Sequence, residues 1–140
     1  MGIRTLGHVV AALVLAGCAC TQIGCNNQIT FALPFEVQPD VGYAVLACID
    51  ERCSDAVLTI DGGDLQRAAI SGDLSLSADT DRLELHLGDG DLQGSHHVTL
   101  SFRDDAGASV ATFEDEVELA PSQPNGSFCG PVCWSAQVDL

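Results

Sequence analysis

The stretch His97-Val98-Thr99-Leu100-Ser101-Phe102 decides the fold. Apolar Val98, Leu100 and Phe102 alternate with polar His97, Thr99 and Ser101, and a period of two places the two sets on opposite faces of an extended strand. The same alternation recurs from Gln28 onward. Ile29, Phe31 and Leu33 alternate with Gln28, Thr30 and Ala32, and Leu83, Leu85 and Leu87 alternate with Arg82, Glu84 and His86. At the end of the chain Trp134, Ala136, Val138 and Leu140 alternate with Ser135, Gln137 and Asp139. Tyr43 to Ile49 and Ala56 to Ile60 are apolar on both faces and suit central strands. In Val110 to Leu119, Phe113, Val117 and Leu119 share a face that Asp115 interrupts, which predicts a bulge there.

Turn signals punctuate these runs: Pro39-Asp40, Asp61-Gly62-Gly63, Gly88-Asp89-Gly90, Asp104-Asp105-Ala106-Gly107 and Pro121 to Gly126. About seven short strands so spaced, in one domain of ordinary length, predict an all-β fold, an immunoglobulin-like β-sandwich, with a small barrel or jelly roll as the competing arrangement. One helix candidate stands out, Asp64 to Ile70, where Asp64 caps one or two turns. Internal repeats and low-complexity stretches are absent.

The N-terminus obeys different rules. Met1 to His8 carries Arg4 and no acid, and Val9 to Ala16 is an apolar run too short for a bilayer, which needs ~20 residues. The run ends in Leu15-Ala16-Gly17-Cys18, which resembles the lipobox of bacterial prolipoproteins: a branched apolar residue, two small residues, then cysteine. That resemblance implies that the Cys18 thiol receives a diacylglyceryl group, that a peptidase cuts before Cys18, and that the new amine takes a further fatty chain such as palmitate. Two or more chains give stable anchoring where one is marginal. The expected organisation is a signal peptide at 1–17, a lipidated tether at 18–27 and the sandwich at 28–140. A plain secretory signal and an uncleaved apolar N-terminus are the alternatives.

Six other cysteines come in close pairs: Cys20 with Cys25, Cys48 with Cys53, and Cys129 with Cys133. In an exported protein an even count reads as disulfides, although such spacing also suits zinc. Cys48 and Cys53 flank the polar hairpin tip Ile49-Asp50-Glu51-Arg52, so a bridge across the hairpin base is expected. Cys25 lies just before the first strand and Cys133 just before the last. If those strands run parallel, their like ends meet, which favours Cys25–Cys133 and Cys20–Cys129. The competing reading is two local loops, Cys20–Cys25 and Cys129–Cys133. Both ends of the chain, Cys-Thr-Gln-Ile-Gly-Cys at 20–25 and Pro-Asn-Gly followed by Cys-Gly-Pro-Val-Cys at 124–133, are similar to those of small uncharacterised bacterial lipoproteins with paired cysteines. That likeness implies no activity.

The formal charge is −15, with twenty acids against Arg4, Arg52, Arg67, Arg82 and Arg103 and no lysine. Such a surface repels phosphate backbones and anionic headgroups, so nucleic acid is not expected as a partner. Acidity keeps an exported protein soluble, and it fits cationic partners or divalent ions. Asp89-Gly90-Asp91-Leu92-Gln93-Gly94 resembles the start of a calcium loop, but the twelfth position, where a bidentate Glu belongs, is Leu100. Turn chemistry explains the same residues. Acids at Asp61 and Asp64 or at Asp104 and Asp105 complete a weak site only if the loops share one end of the sandwich.

Histidines 86, 96 and 97 remain after processing. Alternation sets His86 beside Glu84 on a wet face and sends His96 and His97 to opposite faces, so that adjacent pair cannot chelate one ion. His86 and His97 could meet across strands on the outer face. Trp134 lies in an alternating strand and is expected to pack in the core. No nucleophile elbow, phosphate loop or thioredoxin-type pair occurs. The expectation is therefore a non-enzymatic binding or structural module of the bacterial envelope, facing outward on the cell or outer membrane, with no cofactor, no metal and no catalytic residues assigned. Its partners are the membrane through Cys18 and a cationic or protein partner. The rivals are a weak divalent-cation binder using the acidic loops and a hydrolase assembled from scattered His, Asp and Ser residues.

Overall fold

The computed structural model describes residues 24–61, 64–72, 74–126 and 130–140. Within them the chain forms nine strands and no helix: β1 (Gln28–Ala32), β2 (Tyr43–Ile49), β3 (Arg52–Asp61), β4 (Asp64–Gly72), β5 (Ser75–Ala78), β6 (Arg82–His86), β7 (Gly94–Arg103), β8 (Ser109–Ser122) and β9 (Cys133–Asp139). They hydrogen-bond in one continuous order, β4-β3-β2-β7-β8-β9-β1-β6-β5. The sheet folds over at β8, whose residues from Ser109 to Leu119 pair with β7 while Ala120 to Ser122 pair with β9. One long strand thus belongs to two layers.

Between the layers lies a single core. Ile29, Phe31, Leu76, Leu83 and Leu85 project from one half, and Val45, Ile49, Leu58, Val98, Leu100 and Phe102 from the other. The Phe31 and Phe113 rings meet edge to face at 5.8 Å. Along β7 the predicted alternation is seen directly: His96, Val98, Leu100 and Phe102 are buried and His97 is exposed. Trp134 is half-buried and packs against the core, as its strand pattern required. Burying each such leucine or phenylalanine contributes roughly 1.5–3 kcal/mol, which is why these inward positions hold the layers together.

The pairing order matches a variable-type immunoglobulin sandwich, in which the GFCC′C″ sheet faces ABED. Strands β8-β7-β2-β3-β4 take the first set of places, and β1, β6 and β5 take those of B, E and D. The place of strand A is filled by β9, from the opposite end of the chain and parallel to β1. Antibody hallmarks are missing, since β2 has no tryptophan and β1 and β7 have no cysteine.

Three expectations need correction. The described residues form nine strands rather than about seven. Asp64 to Ile70 is not helical: it lies in β4, which pairs with β3 from Asp61↔Asp64 to Ser54↔Gly72. Only two residues separate the strands there, and a hairpin so tight captures a segment whose local helix preference is weak. The predicted bulge at Asp115 is also absent, because Asp115 stays in register opposite Val98. On this stretch β8 has a partner on one side only, so an inward-phase carboxylate reaches water without leaving the ladder. Register shifts fall instead at Phe102/Arg103 and Val57/Leu58.

The topology gives the sandwich two distinct ends. Cys25, the β2–β3 turn at Asp50-Glu51, the β6–β7 loop and the β8–β9 loop lie at the end where the described chain begins, here called the near end. The β1–β2 loop, the β5–β6 turn at Asp79 to Asp81 and the β7–β8 turn at Asp104 to Ala108 lie at the far end. Cys48 and Cys53 face each other across the β2–β3 ladder and are bridged, with an S–S distance of 2.06 Å. Cys25 and Cys133 are bridged across the parallel β1–β9 pair, as the like-ends argument required. Cys18, Cys20 and Cys129 lie outside the described residues, as do the signal segment and the proposed Cys20–Cys129 bridge.

A chain-entropy argument ranks the two bridges. Closing a loop of 108 residues constrains the unfolded chain by ~5 kcal/mol, and a loop of 5 by ~2 kcal/mol. In a background carrying Cys20→Ser and Cys129→Ser, removing Cys25–Cys133 should therefore destabilise about twice as much as removing Cys48–Cys53, measured by urea unfolding at pH 7. Equal losses would contradict the ranking.

Candidate functional site

The near end is organised around Asp50. It occupies the two-residue turn between β2 and β3 in a left-handed conformation (φ 51°), which Asp tolerates better than most residues. Its backbone N–H donates to the His97 carbonyl at 2.7 Å. One carboxylate oxygen accepts the His97 N–H at 3.0 Å, and the other lies 2.8 Å from His96 Nδ1. A carboxylate can only accept, so Nδ1 carries the hydrogen. His96 Nε2 is buried with no hydrogen-bond partner, and such an orphan costs ~1–3 kcal/mol. The Asp50 carboxyl is held below its ordinary value first by the hydrogen bond from His96. The His97 N–H and the charges of His96 and Arg52 add to this, against an opposing contribution from burial.

Close to this clamp Arg52 Nη1 donates to the Leu87 carbonyl at 2.9 Å, tying the hairpin tip of one layer to the other. Asn27 joins the parallel strands to the neighbouring loop: its Nδ2 donates to the Gly88 carbonyl at 2.8 Å and its Oδ1 accepts the Trp134 N–H at 2.9 Å. In the β6–β7 loop, Asp91 accepts the Gln93 N–H in an ordinary turn and Leu92 plugs the core. Leu100, at the would-be twelfth position of a calcium loop, is buried.

The acidic loops do not converge. Asp89 and Asp91 belong to the near end, whereas Asp104 and Asp105 lie at the far end, and Asp61 and Asp64 pair at the far end of β3 and β4. The condition for a composite cation site is therefore not met. Among the described residues no group of three His, Cys, Asp or Glu side chains is placed to hold a metal.

The histidines are separated as well. His97 lies 3.6 Å from Glu114 and 3.5 Å from Glu116 on the outer face of the β2–β7–β8 layer. His86 belongs to the other layer, so the two do not meet. His86 Nε2 is 2.9 Å from Ser77 Oγ and 3.7 Å from Glu84, while Ser77 Oγ also lies 3.2 Å from Glu84. Sequence reasoning missed this trio because β5 was not recognised as a strand. Its chemistry differs from a catalytic triad, in which the acid stands behind the ring at the other nitrogen. Here the acid competes for the same nitrogen and the same hydroxyl. His96 does have an acid beside it, but among the described residues its Nε2 has no hydrogen-bond partner, from serine or any other group, and is closed to solvent.

The far end carries an open cleft of about 500 Å³. Phe35, Val41, Tyr43 and Val110 form its apolar floor, with Glu36 on one wall and Asp104 and Asp105 on the other. The floor is continuous with the core: Phe35 stacks on Tyr43 at 6.1 Å, and both rings contact Phe102. Each wall is pinned. In the β1–β2 loop, Leu33 and Val37 donate to Asp81 and Thr80 carbonyls at 2.8 Å, and the Gln38 N–H donates to the Tyr43 hydroxyl at 3.1 Å. In the β7–β8 turn, the Asp104 carboxylate accepts the Ala108 N–H at 2.8 Å and Gly107 takes the left-handed conformation the turn needs (φ 79°). Sequence reasoning found the acids but not the cleft, because Phe35 and Val41 lie in an irregular loop with no period to read.

No protein-family model, curated protein or solved structure matches this chain.

Because the folded-state pKa of Asp50 is depressed, its pairing contributes stability above the unfolded value of ~3.9 and loses it as pH falls further. The substitution Asp50→Asn keeps the turn geometry and removes the charge. Urea midpoints of the wild type and this variant should differ at pH 5, and the difference should shrink as the pH falls below ~3.9. A gap that widens on acidification would refute the assignment.

Proposed function

We propose that this chain is a lipid-anchored, non-enzymatic binding or structural module on the extracytoplasmic side of a bacterial envelope, attached through Cys18. The observation that carries the reading is the polarity of the sandwich. The described chain begins at the near end, where Cys25–Cys133 fastens it, and the cleft opens at the far end. A tether from Cys18 joins the domain at the near end and leaves the far end facing outward. Two disulfides fit an oxidising compartment, the same one that a lipobox-type signal addresses. Strong acidity fits a partner that is cationic or a protein with basic surface, and disfavours nucleic acid.

The test is subcellular. With Cys18→Ser the protein should move from the membrane fraction to the soluble one and lose incorporation of labelled palmitate, while mass spectrometry of the wild type should show a chain starting at modified Cys18. Unchanged membrane association of the variant would reject the anchor.

A further inference from the structure

We propose that the far-end cleft is a binding site for an arginine-bearing peptide segment, a proposal that gives the binding module a site and a ligand class and rests on that reading. Four features of the cleft point the same way. Its size, about 500 Å³, is in the range of ligand pockets and accommodates a long side chain with a neighbour. Its floor is aromatic and aliphatic, with Phe35 half-buried above Tyr43, a surface on which a guanidinium stacks and an aliphatic stem lies flat. Its lining carries three carboxylates, Glu36 from the β1–β2 loop and Asp104 and Asp105 from the β7–β8 turn. Separated acids suit a planar fork with several donors, whereas a small ion needs ligands drawn together, and no metal-holding group exists among the described residues.

Among the described residues no basic side chain lines the cleft. Arg103 lines the depression beside Ala44 and Leu46 on the outer sheet face, and Arg82 lines depressions beside Asp79 and Gln137. Neither lines the cleft. Pinning of both walls means the site exists before its ligand arrives, so binding does not have to order the loops.

The experiment uses the full chain in detergent micelles and a fluorescently labelled, capped tetrapeptide of sequence leucine-arginine-phenylalanine-arginine, read by anisotropy. The peptide should bind saturably, and the citrulline version should bind at least tenfold more weakly. The double variant Glu36→Gln/Asp105→Asn, whose side chains make none of the pinning bonds, should lose at least tenfold with unchanged circular dichroism. The control Glu114→Gln/Glu116→Gln, on the outer sheet face, should bind as the wild type does. An equal loss in that control would mean diffuse charge attraction and overturn the proposal, as would absence of binding at 1 mM on the order of the weakest specific affinities. A calcium titration that saturates and is abolished by Glu36→Gln/Asp105→Asn, without arginine-peptide binding, would overturn it in favour of a metal. Running the Cys18→Ser chain in parallel keeps the two readings apart, because peptide binding in solution does not depend on the anchor.

Discussion

The structure depends on the parallel pairing of its first and last strands. β9 lies beside β1 from Gln28↔Ser135 to Ala32↔Asp139, and the Cys25–Cys133 bridge fixes the start of both. Parallel neighbours cannot be joined by a short turn, so nearly the whole chain must be threaded before this contact forms. The contact makes the start and finish of the domain one mechanical unit. It also places β9 on the side of β1 away from β6, where a variable-type sandwich has its first strand.

Around that seam the two ends have taken different tasks. The near end is dense with restraints: Asn27 to Gly88 and Trp134, Arg52 to Leu87, Asp50 to His96 and His97, and the Cys48–Cys53 bridge. Most of the polar groups just named are engaged with each other, His96 Nε2 excepted. At the far end the backbone is pinned, but the Glu36 and Asp105 side chains and the floor around Phe35 remain open. Pinned loops give the far end a fixed geometry.

Charge shapes the outer surfaces in a further way. β8 carries Glu114, Asp115, Glu116 and Glu118 along the stretch where, among the described residues, only β7 pairs with it. Unpaired strand edges invite pairing with other chains, and a row of carboxylates opposes it. The acidity therefore protects this edge of the sheet. On the outer face of β2 and β3 the exposed Leu46 and Val57 are bordered by Thr99, Thr112, Asp55 and Arg103, which keeps that apolar surface small.

By itself the sequence determined the strands with one wet face, the Cys48–Cys53 hairpin and the opposite facing of His96 and His97, while it left Cys25–Cys133 as one of two pairings until the parallel β1–β9 contact chose it. The first three follow from the two-residue period and from turns whose residues are adjacent in the chain. Tertiary structure alone decided that Asp64 to Gly72 is a strand, that β9 occupies the place beside β1, that the acidic loops divide between two ends, and that Phe35 and Tyr43 floor a cleft between Glu36 and Asp104. Those outcomes depend on which strands lie next to one another and in what direction. Residues far apart in the chain settle that by packing into a shared core, and local pattern does not record it.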